Sequence, residues 1–311
     1  MTETHQRPAA PEGNVAVVGS LNMDLVVRVP RLPVAGETLA GRTFAQVPGG
    51  KGGNQAVAAA RLGAHVAMIG RVGADGNGAT LRAGLEAEGI DCGALATSDA
   101  APTGVALISV DEAGRNCIVI VAGSNGELTE GDIARHEPVL AAASVVVCQL
   151  ETPPETVHAA LAAGRRLGKT VILNPAPAVG PLPDAWLALV DYLIPNEIEA
   201  AALTGLPIGS PEQAAEAAQA LRRQGARNVL VTLGAAGVLA ALDSGTTHFE
   251  APRVSAIDTT AAGDTFIGAF AAQLARGAEV DSAIRFAQRA AALSVTRAGA
   301  QPSIPTLAEL E

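Results

Sequence analysis

The sequence predicts an α/β fold: a doubly wound, mostly parallel sheet flanked by helices, with a small β-sheet lid. Three observations carry this. Continuous apolar runs at 145–150, 170–173, 192–194 and 228–233 read as strands buried on both faces. Segments of helical character at 154–167, 184–190, 197–204 and 211–224 lie between them, and such alternation implies parallel strands joined by crossover helices. Stretches at about 25–45 and 105–122 break the alternation and are the expected lid strands, inserted in a single domain of residues 14–311.

In chain order, residues 1–13 are polar and Pro-bearing, lack an apolar signal core, and are expected to be a disordered tail. Residues 14–20 (NVAVVGS) predict a buried first strand and 25–29 a second, with Pro30, Pro33 and Gly36 interrupting the stretch after it. A helix is expected at 54–62, directly after a glycine cluster; 66–70 reads as a strand and 78–88 as a helix. Residues 104–110 and 116–122 predict a hairpin around 111–115. Further on, 237–242 and 246–249 read as an antiparallel edge, and helices at about 264–276 and 280–296 close the chain.

Composition narrows the function. Apolar residues make up 49% of the 311 and aromatics only 2%, so the core has to be built from Ala, Val, Leu and Ile. A formal net charge of −10 argues against nucleic acid as partner, because phosphate-backbone binding needs a basic face. It leaves room for a small anionic substrate held by a few N–H groups. Cys92, Cys117 and Cys148 lie far apart, which fits a reducing cytoplasm and gives no zinc signature. No apolar run reaches the roughly 18 residues of a membrane helix. The phosphate loop of Walker type, the dinucleotide Gly-x-Gly-x-x-Gly after a strand, His-Glu-x-x-His and Gly-x-Ser-x-Gly are all absent.

Two segments carry chemistry. In 258–266 (DTTAAGDTF) small residues run into a helix, and successive N–H groups with the helix dipole suit an anion. Asp264 would repel a phosphate there unless it serves as a base that takes a proton from an attacking hydroxyl. The same residues equally fit a capped helix after a turn. The second segment, 49–54 (GGKGGN), lets backbone approach a ligand closely, with Lys51 and Asn54 as donors, or it is a flexible hinge.

Taken together, GKGGNQ at 50–55 and DTTAAGDTF at 258–266 resemble the paired signatures of the ribokinase-like carbohydrate kinase family, also called the PfkB family. The resemblance runs over residues 15–303. It implies ATP-dependent phosphorylation of a pentose, D-ribose at O5 ahead of 2-deoxyribose or another family sugar or nucleoside. A non-catalytic sugar-binding regulator on this fold would be expected to lack Asp264 or the small residues before it.

Residue by residue, the resemblance makes Asp264 the base and the N–H groups of Ala261, Ala262 and Gly263 an anion hole. Asn22, Asp24, Gly50, Lys51, Gly52, Gly53, Asn54 and Glu151 match sugar-side positions beneath the lid. Asn196 and Glu199, which also read as a helix capping box, match a motif that arranges Mg2+ and phosphates through water. Thr232, Leu233, Gly234, Ala235, Ala236, Gly237 and Gln288 match the ATP side, with Gly263 and Asp264. A monovalent cation, K+, is implied at Asp258, Thr260, Ser294, Arg297, Gly299 and Ser303, where Gly299 also reads as a helix C-cap. The lid sheet is implied to pair with its twin in a homodimer.

Overall fold

Alternation inside the strands decides which side of the sheet each residue serves. In β1 (Asn14–Val18), Val15 and Val17 join one apolar core while Ala16 and Val18 join a second, on the opposite face. Both cores are helix-covered, which is why these strands read as unbroken apolar runs. The structure, a computed structural model, describes residues 13–178 and 180–310. The tail expected at 1–13 lies outside the described residues except for Gly13, which is not frayed. Its N–H donates to the Ala275 carbonyl (3.0 Å) and its own carbonyl accepts from His65 (2.9 Å).

From β1 the chain runs through β2 (Asn22–Arg28), β3 (Thr43–Gly49), α1 (Lys51–Arg61), β4 (His65–Gly73), α2 (Gly76–Ala87), β5 (Leu95–Ser98), β6 (Gly104–Val110) and β7 (Asn116–Val121). Next come α3 (Glu130–Arg135), α4 (Glu137–Ala142), β8 (Val145–Cys148), α5 (Pro154–Arg166), β9 (Thr170–Leu173), α6 (Asp184–Leu187) and β10 (Tyr192–Leu193). The last elements are α7 (Glu197–Thr204), α8 (Pro211–Arg223), β11 (Asn228–Thr232), β12 (Val238–Leu242), β13 (Gly245–Phe249), α9 (Ala262–Ala275) and α10 (Val280–Ser294).

Among the described residues the main sheet has nine strands, in the order β13-β12-β11-β10-β9-β8-β1-β4-β5. Pairing is parallel throughout except at the β11-β12-β13 edge, which is antiparallel as expected. A second sheet, β3-β2-β6-β7, stands apart as the lid. Its outer strand β7 is exposed along its whole length; by register Phe44, Leu107, Val119 and Val121 share one face of the sheet as exposed apolar residues, while Ile118 and Ile120 lie on the other. No helix among the described residues is long and apolar enough to cross a membrane.

Three expectations need correction. The lid stretch expected at 25–45 is two strands, one starting earlier, at Asn22, and one displaced to Thr43–Gly49. The Pro-broken segment between them is closed by the Arg42 N–H on the Arg28 carbonyl (2.7 Å). Helix α1 starts at Lys51 rather than 54, so the glycines form its first turn. The short elements β5, α3 and α4 had no counterpart among the elements expected from sequence, although Thr129 and Asp132 form a full capping box at α3.

Candidate active site

Helices α1 and α9 cross at a contact that only glycine allows. A Cβ on Gly268 would lie 2.5 Å from the Ala58 Cβ and 2.6 Å from the Gln55 carbonyl. This approach brings Asn54 and Gln55 of α1 to Asp264, one turn before Gly268 on α9. Asn54 Nδ2 donates to Asp264 Oδ2 at 2.9 Å, and Gln55 Nε2 donates to Oδ1 at 2.9 Å. Neighbouring residues on a helix normally diverge; here both amides reach one carboxylate because each takes a different oxygen.

Gln55 was not among the residues expected at the site. It is fully buried, and its Nε2 also reaches Asn174 Oδ1 (3.2 Å) while its Oε1 accepts from Gln149 Nε2 (2.7 Å). Asn174 in turn donates to the Ile194 carbonyl (3.0 Å). The bracing of Asp264 therefore extends to the C-terminal ends of β8, β9 and β10, where open α/β sheets place their ligands.

The N-terminus of α1 is finished by a distant carboxylate. Gly50, at φ 83°, offers no side-chain cap. Glu151 Oε2 instead accepts from the Lys51 N–H (3.0 Å) and from the Ser20 hydroxyl (2.5 Å), placing negative charge at the positive end of the helix. Gly52 makes room, since a Cβ there would sit 2.7 Å from both the backbone N and O of Ser20. Ser20, like Gln55, was missed by sequence reasoning.

Asp24 stands between these carboxylates. Burial pushes its pKa up to about 7, and the charges of Glu151 and Asp264 add to the rise. Burial opposes the charged form of Lys51, but Asp264, Glu151 and Glu199 around it outweigh that and hold its pKa above the ordinary value. Asn22 is buried and accepts from Asn125. Asn54 Oδ1, Gln149 Oε1 and Thr152 Oγ1 are buried without a hydrogen-bond partner among the described residues. An orphan acceptor of this kind costs about 1–3 kcal/mol unless a ligand or water satisfies it.

The N-terminus of α9 has a different finish. Ala261 at φ 59° is the only non-glycine with positive φ among the described residues, a conformation costing about 1–2 kcal/mol for an L-residue. Strain of this kind concentrates at functional sites. First-turn N–H groups have no acceptor within their helix. The Ala262 N–H turns back toward the Thr259 carbonyl at 3.3 Å, so of the three expected donors it is the one with a partner among the described residues.

Two cavities meet at this helix end. One of about 170 Å³ is lined by Lys51, Asn174, Asn196, Glu199, Thr232 and Asp264. The other, about 530 Å³ and mostly apolar, extends past Gly234, Ala235 and Gly237 to Val254, Gln288 and Val295. They share Thr232, Thr259, Ala262 and Gly263. Leu233 is turned into the core and the Ala236 carbonyl is taken by the His248 ring (2.7 Å), so neither lines a cavity. Gln288 lines the larger one while its Nε2 donates to the Phe249 carbonyl (2.7 Å).

Asn196 and Glu199 do form the full capping box of α7. Glu199 nevertheless faces the small cavity; burial raises its pKa, opposed by the Asn196 N–H and Lys51 and aided by Asp264. A larger cavity, about 730 Å³, lies at the other end of the strands. Arg165 and Arg227 both meet Asp191 there, and the cavity holds none of the expected site residues.

Of the residues implied for a cation, Asp258, Thr260 and Gly299 are joined by hydrogen bonds. Asp258 Oδ1 accepts from the Thr260 N–H (2.9 Å) and hydroxyl (2.6 Å), and Oδ2 from the Gly299 N–H (2.9 Å). Burial works against the Asp258 carboxylate, but these bonds hold its pKa below the ordinary value. The Ser294 and Ser303 hydroxyls donate to the Ala291 (2.9 Å) and Ala300 (2.8 Å) carbonyls, which leaves their lone pairs for a ligand. The Arg297 guanidinium pairs with Glu309 (2.6 Å); it is the backbone carbonyl of Arg297 that is implied for the cation.

Comparison with known proteins places the chain clearly. Residues 12–307 match the model of the pfkB family carbohydrate kinases. A ribokinase of Haemophilus influenzae is 43% identical over 295 residues, spanning 95% of this chain and 96% of the relative. A deoxyribokinase of Salmonella typhi is 38% identical over 294 residues, spanning 94% and 96%. The structure of Arabidopsis thaliana ribokinase complexed with ribose and ATP superposes with a TM-score of 0.90 at 33% identity, covering 96% of this chain and 97% of that one.

Proposed function

The chain belongs to the pfkB family of carbohydrate kinases, and on that premise we propose that it transfers the γ-phosphoryl group of ATP to O5 of D-ribose. The observation that carries this reading is the position of Asp264: a buried carboxylate braced by two amides, at a small-residue helix start, between a carboxylate-rich cluster and a nucleotide-sized apolar cavity. Asp264 takes the O5 proton as O5 bonds to phosphorus and the bond to the ADP oxygen breaks; a base so placed contributes roughly 10²–10⁴-fold. The first-turn N–H groups of α9, with Gly263 foremost, face charge building on the transferring oxygens.

Asp24 and Glu151 accept sugar hydroxyl protons, Asn22 and Lys51 donate, and the orphan Asn54 Oδ1 finds its partner there. Gly50, Gly52 and Gly53 bring backbone to the sugar. The apolar cavity takes the adenine, and its continuation beside Lys51 takes the phosphates. Asn196 and Glu199 suit Mg2+ held through water, and the ion supplies charge neutralisation on the terminal phosphates. The Asp258 carboxylate with the lone pairs of Ser294 and Ser303 would hold K+, whose charge that carboxylate would balance. The apolar lid face supports a homodimer through β7 and its neighbours, and the scattered free cysteines support a cytoplasmic setting.

The test is ATP consumption with ribose, 2-deoxyribose, fructose, adenosine and inosine, each with K+ or with Na+ in its place. Ribose is expected to give the highest kcat/KM, and Na+ a lower rate. Preference for 2-deoxyribose moves the chain toward the deoxyribokinase relative, turnover with none of the five overturns the reading, and indifference to the ion removes the cation site.

A further inference from the structure

The four strands of the lid leave the body of the protein at one point, and Asn22 stands there. It is the first residue of β2, and in register it faces Gly49, the last of β3, and Gly104, the first of β6. The chain leaving β7 returns through Asn125, which is 1% exposed. The Asn125 amide is used at both ends: Oδ1 accepts the Leu21 N–H (2.9 Å), while Nδ2 donates to the Leu21 carbonyl (2.9 Å) and to Asn22 Oδ1 (2.8 Å). Glycine at 104 makes room for this knot, since a Cβ there would lie 2.3 Å from both Asn125 Nδ2 and Asn22 Oδ1.

The consequence is directional. An amide has one accepting and one donating end. The Leu21 N–H and carbonyl admit Asn125 in one orientation only, with oxygen toward the N–H and nitrogen toward the carbonyl. Asn125 therefore offers an N–H to Asn22, which only the Asn22 oxygen can accept. That leaves the Asn22 nitrogen for a ligand, beside an acceptor at Asp24. A vicinal pair of sugar hydroxyls fits one donor next to one acceptor.

We propose that Asn125 is a positioning residue for sugar recognition, holding the Asn22 amide with its N–H toward the sugar while it fastens the stems of the lid. This rests on the reading that Asn22 binds ribose. Asn125 makes no claim on the nucleotide or on Asp264, so its effect belongs to sugar affinity and not to the transfer step.

Asn125→Asp keeps the shape and the acceptor for Leu21 but puts an oxygen where Asn22 needs a donor. The expected result is a rise of about 10-fold or more in the ribose KM, the factor that goes with one lost buried hydrogen bond, with kcat and the ATP KM within about 3-fold of the parent. Asn125→Ala serves the same test without burying a charge, and thermal melts confirm that each variant is folded. In an Asn22→Ala background the Asn125 substitutions are expected to add less than about 2-fold to the ribose KM, as coupled positions do. Equal factors in both backgrounds, or parallel losses in kcat and ATP KM, reduce Asn125 to a structural residue and overturn the proposal. Asn22→Ala with an unchanged ribose KM overturns the sugar-side reading itself, a result distinct from failure at Asn125 alone.

Discussion

Two helix starts made of small residues flank the same group of carboxylates, and they end differently. At α1 the free N–H end is already plugged: Glu151, arriving from the far side of β8, takes the Lys51 N–H and the Ser20 hydroxyl. At α9 no side chain caps the end; Ala261 is bent into the left-handed region, and Asp264 sits inside the first turn and looks away to Asn54 and Gln55. Both starts read as anion sites by composition. The plugged one cannot take a second anion and suits hydroxyls, whereas the open one retains the dipole and N–H groups that a phosphoryl group needs. Who already occupies a helix end, more than its glycine content, decides what it binds.

Three substitutions sharpen or break that contrast. Asp264→Asn removes the base from the open start and is expected to cut kcat by about 10²–10⁴ while leaving KM for ribose and ATP nearly intact. Steady-state kinetics decide it, and near-parental kcat ends the assignment. Glu151→Gln unplugs the other start. The expected effect is a ribose KM raised by about 10-fold, with a loss of about 1 kcal/mol in stability; an unchanged KM would mean that this end serves the fold alone.

The smallest effect concerns Asp24, which feels both ends. A carboxyl with a folded-state pKa near 7 holds its proton more tightly folded than unfolded. Its contribution to folding is complete below the unfolded value of about 4 and fades as pH rises through 7. Asp24→Asn is therefore expected to be more stable than the parent, without ligands, at pH 8, by about 1–2 kcal/mol or a few degrees in Tm. The gap should close toward pH 5 in paired thermal melts. A gap that widens on acidification would contradict the placement of Asp24 among ionised neighbours.

The alternating architecture could be read from the sequence because strands buried on both faces leave unbroken apolar runs such as 145–148 and 170–173. The start of α1 could not, since glycine disfavours helix by about 1 kcal/mol per residue and the compensating cap, Glu151, lies 100 residues away. Asp264, Asn54 and the small residues at 261–263 were visible as motif. Gln55 closed the quoted motif but its role was not legible, and neither were those of Ser20 and Asn125, because an amide or hydroxyl in sequence carries no sign of its partner. Each acquires its meaning only when α1 meets α9, or when the lid stems converge.

Gly268 also sets a limit for anyone wishing to engineer this protein. Exchanging a mid-helix glycine for alanine is a standard route to thermostability, worth up to about 1 kcal/mol. At position 268 the added methyl would collide with Ala58 and the Gln55 carbonyl. The helices would have to part, and the two amides that brace Asp264 would move with α1. A library scored on melting temperature alone would then discard or misjudge the very contact on which the geometry of the base depends.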